Sequence, residues 1–372
     1  MFAVHILAIA HFGIPMILTT LVDRLGEQTV SALGGLVIGL AFGFFAQRSR
    51  FCLRAAVVEF ARGEFGSKLA IWLVVFATAL MSTQLLIASG YIDVSEARQL
   101  AAQGSISGAA IGGLMFGGGM VLARGCASRL LVLSANGNLR AFLSGLMFAV
   151  VAQASFRGVL SPLREAITNL WLIDGGQSRD IMALMGSATP IKLLWCFAWV
   201  FGAAVITFRN GITAGVVVGA LGTGLTIAAG WAFTYALSQV AFTPVAVKSL
   251  TFSGPSADAL MFVLSAPDKG ITFDIALVAG VFLGSFLSAA LWRELRIEGF
   301  SDGLGMRRYI VGAGLMGFGA MLAGGCAVGA GVTGASVFAL TAWIVLTGMW
   351  VGAAIMDTLV DRPAAKPLAQ SV

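Results

Sequence analysis

Long apolar runs separated by short charged stretches set the pattern of this chain. Leu69 to Ile92 follows Lys68 without a charge until Asp93, and 210–247 and 309–356 are charge-free over longer distances. A helix of about 20 apolar residues crosses roughly 30 Å of hydrocarbon. The first run therefore predicts one span, and the other two hold more than one element each. The whole pattern predicts ten spans, at about 2–22, 30–46, 69–90, 106–123, 141–156, 193–208, 213–231, 274–292, 309–323 and 337–356. Two longer segments, about 157–192 and 248–273, carry charge and proline and are expected outside the hydrocarbon. The fold class read from this is an all-α polytopic membrane protein forming a single transmembrane domain over 1–372.

Composition agrees. Hydrophobic residues make up 58% of the chain and charged residues 11%, against about 25% charged in soluble domains. So few charges would leave a soluble surface poorly hydrated. Glycine is abundant, with 48 residues, and recurs at intervals of four in 35-39-43, 215-219 and 280-284. In lipid, such small residues let helix backbones approach closely. The N-terminus is apolar but has no basic residue before Arg24 and no small-residue cleavage site, so it reads as a retained span rather than a signal peptide. The net charge of +6 comes from basic residues scattered over loops. They form no single stripe, which argues against a nucleic-acid partner.

The two halves share a motif. IGGLMFGGGMVLARGC (111–126) and VGAGLMGFGAMLAGGC (311–326) align without a gap at an offset of 200, with identity at seven of 16 positions and a common Leu-Ala-x-Gly-Cys ending. A weaker echo pairs GLVIG (35–39) with GVVVG (215–219). Pseudo-repeat halves of about 1–160 and 190–356 follow, each with five spans, and 357–372 forms a tail. An odd number of spans places the second half upside down relative to the first, a plan common among transporters with a site near the midplane. The positive-inside rule is an independent guide. With the N-terminus inside, 15 of the 23 basic residues fall in cytoplasmic segments. Both termini are then cytoplasmic, with Cys126 toward the cytoplasm and Cys326 toward the opposite face.

The chemistry rests on four cysteines, Cys52, Cys126, Cys196 and Cys326. They are too dispersed for a local zinc or thioredoxin-type motif. Histidine occurs only at His5 and His11, which removes the usual metal partner and general base from both motifs. No cofactor is expected. Cys126 and Cys326 each stand where a Gly-rich span breaks before the next begins. Irregular backbone at membrane depth is tolerated only inside protein or along a cavity, and freed amides at a half-helix start hold anions. Each cysteine is therefore expected at the tip of a re-entrant turn, with Gly125 or Gly325 beside it. Arg124 and Arg129 flank Cys126, and Arg48, Arg50 and Arg54 cluster around Cys52. These arginines either draw in an anion or only set topology. A free cysteine in an apolar segment is often just a small buried hydrophobe. That reading is given to Cys196, stays open for Cys52, and is set aside for the matched Cys126 and Cys326.

FGFFAQRSRFCLRAA (42–56), GGGMVLARGCASR (117–129) and MGFGAMLAGGCAVGAG (316–331) resemble, in order, the three cysteine motifs of the YeeE/YedE family. This bacterial membrane family includes thiosulfate uptake proteins. The resemblance runs from about Gly35 to Trp350, so the first span lies outside it. It implies about nine to ten transmembrane helices plus short re-entrant half-helices in an inverted-repeat hourglass. It also implies thiosulfate passing Cys52, Cys126 and Cys326 by transient S–H···S hydrogen bonds, in the inner membrane, with a small cytosolic sulfur-carrier protein as partner. One departure stands out. Text of the type Gly-Gly-Cys-Ala-Thr-Gly is expected at the second motif, and here it is Arg124-Gly125-Cys126-Ala127-Ser128-Arg129. The expected function is uptake of thiosulfate or a related small sulfur-containing anion. Candidate substrate-binding residues are Cys52, Cys126, Cys326, Gly125, Gly325, Arg124 and Arg129. The alternatives are transport of another sulfur or selenium species, a membrane-embedded thiol sulfurtransferase or redox protein, and a thiolate-based metal-ion carrier. The basic surroundings oppose the last.

Overall fold

The computed structural model describes residues 16–186, 189–264, 270–299 and 303–362. The expected first span lies largely outside them, as do both histidines and most of the expected tail. Twelve helices of nine or more residues organise the described residues. They are α1 (Glu27–Ser49), α2 (Leu53–Ala61), α3 (Ser67–Ala88), α4 (Ile106–Leu122), α5 (Ala127–Ala135), α6 (Leu139–Arg157), α7 (Thr189–Arg209), α8 (Ala214–Val240), α9 (Ser253–Leu264), α10 (Phe273–Leu291), α11 (Gly303–Leu322) and α12 (Leu340–Met356). Residues 16–25 form a further helical stretch, packed through Leu18 and Val22 against Val30 and Leu237.

The chain is an all-α polytopic membrane protein. Among the described residues, eight helical segments are long and apolar enough to cross a membrane, and α11 packs beside α4 and α6. Helices suit this setting because every interior backbone polar group is satisfied within its own segment. The 30–46 and 213–231 spans extend to 27–49 and 214–240. The other spans that fall on described residues lie within a few residues of expectation, except that α11 begins at 303.

Glycine brings these helices together. A Cβ at Gly35, Gly39 or Gly43 would stand 2.3, 2.3 and 2.2 Å from the carbonyl oxygens of Phe273, Leu277 and Val281. That spacing sets α1 parallel to α10 with backbones in contact. In the same way Gly113 and Gly117 of α4 meet the carbonyls of Val345 and Met349 on α12. By contrast, α4 and α11 are antiparallel, Gly112 meeting Gly319 and Gly119 meeting Gly312.

These directions sort the helix ends into two faces. One carries the C-terminal ends of α1, α4, α10 and α12 with the start of α11, and its ion pairs include Arg50–Glu294, Arg54–Asp361, Arg62–Asp357, Arg140–Glu298 and Arg308–Asp361. Here the Asp357 hydrogen bond raises the Arg62 pKa above its ordinary value. The opposite face carries the Lys248–Asp274 pair, the short antiparallel pairing of Gly104–Ser105 with Leu172–Ile173 and the capping segment around Arg179.

The 248–273 segment is packed in part into the protein interior. Leu250, Phe252 and Ala257 are each fully buried, and α9 packs against α6, α10 and α11. A helix of 12 residues is too short to register as a span, so the sequence pattern concealed it.

Candidate functional site

Three helices end alike. Two residues before each motif cysteine the backbone turns left-handed, at Arg50 (φ 55°), Arg124 (φ 57°) and Gly324 (φ 74°). This geometry stops an α-helix. It costs an L residue about 1–2 kcal/mol and glycine little. The chain then passes through extended Cys52 into α2 and through extended Cys126 into α5, so each thiol stands at the cap of a short new helix. After Cys326 the chain enters a π-helical turn, Gly329–Gly334. The adjacent glycines let the Cys126 and Cys326 turns fold onto themselves. A Cβ at Gly125 would lie 3.3 Å from Leu130, and one at Gly325 would lie 2.8 Å from the Ala330 nitrogen.

Cys52 and Cys126 come together on the Arg50–Glu294 side. Their thiols lie close enough to interact, and Ser128 Oγ lies 3.4 Å from Cys126 Sγ. Arg129, in the first turn of α5, lies in electrostatic reach of both thiols, of Arg50 and of Glu294. Its Nη1 is buried and makes no hydrogen bond in the structure. Glu294 is already engaged by Gln47 Nε2 at 2.7 Å and Arg50 Nη2 at 3.2 Å. Arg129 therefore sets a fixed positive charge with a free donor beside two thiols. Arg124 does something different: its side chain is exposed, and its backbone supplies the helix-ending turn.

Cys326 lies on the other side with different neighbours. Its sulfur accepts the Phe252 N–H at 3.3 Å and the Gly329 N–H at 3.4 Å, and Thr251 Oγ1 is 4.0 Å away. Phe252 is fully buried, and its ring meets that of Phe42 with centroids 5.2 Å apart. Arg98 Nη2 donates to the Gly324 carbonyl at 3.0 Å, which secures the turn. Arg179 secures Arg98's segment in turn, donating from Nη1 to the Ala102 carbonyl at 2.5 Å and from Nη2 to Thr341 at 2.6 Å. Burial pushes the Arg179 pKa down, and Arg98 adds to that.

Sequence reasoning missed Thr251, Phe252 and Arg179. None carries a motif, and only the fold brings them to Cys326. Cys196 sits fully buried on α7 in the apolar core, apart from these turns. No group of three or more His, Cys, Asp or Glu residues gathers at a metal-sized site among the described residues.

The arrangement suits an anion with a soft atom. Thiols are weak donors, and guanidinium is a permanent cation with five N–H groups. Comparison with known proteins points the same way. A family model described as sulphur transport matches residues 48–355. The chain is 26% identical over 358 residues to the thiosulfate transporter TsuA of Escherichia coli (strain K12), covering 90% of this chain and 96% of that protein. It is also 26% identical over 346 residues to the thiosulfate transporter TsuA of Spirochaeta thermophila, covering 87% of this chain and 98% of that protein.

Proposed function

The chain belongs to the sulphur transport family, and from that premise we propose that it takes up thiosulfate, or a related small sulfur-containing anion, past the thiols of Cys52, Cys126 and Cys326. One observation carries the reading: the Cys52 and Cys126 thiols lie close enough to interact, beside the guanidinium of Arg129, whose buried Nη1 has no hydrogen-bond partner. Moving one carboxylate-sized charge into a low-dielectric medium costs of order 20 kcal/mol before relaxation. An anion therefore needs donors along its way. They must also be weak enough to release it, since a site that binds too tightly does not conduct. Neutral thiols meet both demands, and Arg129 supplies the attraction at the inner end.

The roles divide as follows. Cys52, Cys126 and Cys326 face the soft sulfur. Gly125 and Gly325 keep the turns tight beside the buried thiols of Cys126 and Cys326. Arg129 binds the anion directly, and Arg124 acts from the surface, through its charge. The two halves, about 1–160 and 190–356, are repeats in opposite orientation within one transmembrane domain, and the tail over 357–372 is cytoplasmic. The protein resides in a bacterial inner membrane with both termini cytoplasmic, a reading supported by the concentration of basic residues at the Cys52–Cys126 end. A small cytosolic sulfur-carrier protein receives the anion there. The transport reading does not call for catalysis. A sulfurtransferase would need a base beside its nucleophile, and neither Gly-Cys motif contains a histidine.

The test is uptake of labelled thiosulfate by cells that express the chain and lack other thiosulfate transport, compared with growth on sulfate, sulfite and selenite. Thiosulfate-dependent growth with saturable uptake supports the reading. No uptake by a folded, membrane-inserted protein overturns it.

A further inference from the structure

The two matched turns differ three residues after the cysteine. Arg129 follows Cys126, whereas Gly329 follows Cys326. A Cβ on Gly329 would lie 2.2 Å from Thr251 Oγ1, so the threonine hydroxyl occupies the space a side chain there would need. The surroundings differ in a second way. Opposite Cys126 stands Cys52, at the start of α2. Opposite Cys326 stands the Thr251–Phe252 pair, at the start of α9. Phe252 lies 200 residues after Cys52, the same offset that relates the two Gly-Cys turns, and its ring is turned away into the core against Phe42. The polar atoms left at this position are the hydroxyls of Thr251 and Ser253, 3.4 Å apart. Thr251 remains partly exposed, while Phe252 and Ser253 are buried.

We infer that Thr251 is a substrate-contacting, specificity-determining residue, whose hydroxyl donates to a hard oxygen of the anion while the Cys326 thiol meets its soft sulfur. This inference rests on the transport reading above. The Cys326 sulfur already accepts two backbone N–H groups. Its own S–H is then left to donate, and accepting hydrogen bonds strengthens a group as a donor. Hydroxyl is the stronger, harder donor and thiol the weaker, softer one, so the pair reads an anion with unlike ends. With glycine where the other turn has arginine, this end holds the ion without a full positive charge from that position. The anion is oriented here and held more firmly at Arg129.

The experiment compares Thr251→Val, which removes the hydroxyl at nearly constant shape, with Thr251→Ser, which keeps it. Thiosulfate uptake is measured over a concentration range and normalised to folded protein in the membrane. Thr251→Val is expected to raise the apparent KM at least fivefold with a smaller change in maximal rate, and Thr251→Ser to stay within twofold of wild type. If the valine variant does not reach the membrane, Thr251→Ala provides the same comparison. Wild-type uptake together with an unchanged KM in the variant lacking the hydroxyl would overturn this inference alone. A serine variant as impaired as the valine variant would also overturn it, because shape rather than the hydroxyl would then matter. Absence of uptake by the wild-type chain would overturn the transport reading as well.

Discussion

Gly112 and Gly319 meet backbone to backbone: a Cβ on Gly112 would stand 2.7 Å from the Gly319 carbonyl oxygen, and one on Gly319 would stand 2.8 Å from that of Gly112. Gly119 and Gly312 meet in the same reciprocal way, at 2.6 and 2.7 Å. At an offset of 200, Gly112 corresponds to Gly312 and Gly119 to Gly319. The contact is therefore one that a twofold relation between the matched segments produces. Neither backbone can retreat without separating α4 from α11, and both Gly-Cys turns hang from these two helices.

Gly112→Leu and Gly319→Leu should each destabilise the protein. Inserting methylenes into a packed interior costs about 1–3 kcal/mol, and here the obstruction is backbone, which yields less than a side chain. The thermal midpoint of detergent-solubilised protein, followed by size-exclusion chromatography, should fall in both. A Cβ on Gly145 of α6 would meet nothing within 4 Å, so Gly145→Ala should leave that midpoint unchanged or raise it. Equal midpoints for all three variants would contradict the close approach.

The two arginines of the second motif should separate. Hydrogen bonds to charged groups contribute about 1.5–3 kcal/mol, so Arg129→Ala should raise the apparent KM for thiosulfate by roughly ten- to a hundredfold. Arg124→Gly should keep uptake within a fewfold of wild type, because glycine adopts the left-handed turn without strain and only a surface charge is lost. Concentration-dependent uptake decides it: an Arg124→Gly defect larger than that of Arg129→Ala would reverse the assignment.

Cys196→Ala should retain most uptake. Its side chain fills space in the apolar core and faces neither Gly-Cys turn, so the expected cost is a modest loss of stability from a small cavity. Loss of transport comparable with that of Cys126→Ala would mean the wrong cysteine has been set aside.

Orientation can be tested without transport. A reporter fused after the C-terminus that is active only in the periplasm should stay silent, because the tail is assigned to the cytoplasm. Strong reporter activity would invert the arrangement of the two cysteine clusters.

Spans were legible because hydrocarbon imposes length and apolarity on each one, and the Gly-Cys turns because Leu-Ala-x-Gly-Cys recurs at a fixed offset. The partner of Cys326 was not legible. The echo of Gly35–Gly39 in Gly215–Gly219 runs at an offset of 180, whereas α2 and α9 correspond at 200. The difference arises because α8 runs 25 residues beyond Gly215, where α1 runs 14 beyond Gly35, and is followed by twelve residues, 241–252, before α9 starts, where α1 and α2 are joined by only three. Phe252 then stands where Cys52 stands, with no shared chemistry to reveal it. The contrast between Arg124 and Arg129 was hidden too. Both flank Cys126 in sequence, but a left-handed turn directs one outward and the first turn of α5 carries the other to the thiols.

The central claim is that thiols, and not merely small side chains, line the path. Alanine occupies less space than cysteine and donates nothing. Serine donates more strongly, but its hydroxyl can turn to a nearby backbone carbonyl instead. The decisive measurement is initial uptake of labelled thiosulfate by Cys52→Ala, Cys126→Ala and Cys326→Ala, each normalised to folded protein in the membrane. Cys126→Ala and Cys326→Ala should nearly abolish uptake, their serine counterparts should recover little, and Cys52→Ala should be impaired. Wild-type rates in all three alanine variants would show that the cysteines only pack the interior, and would contradict the account.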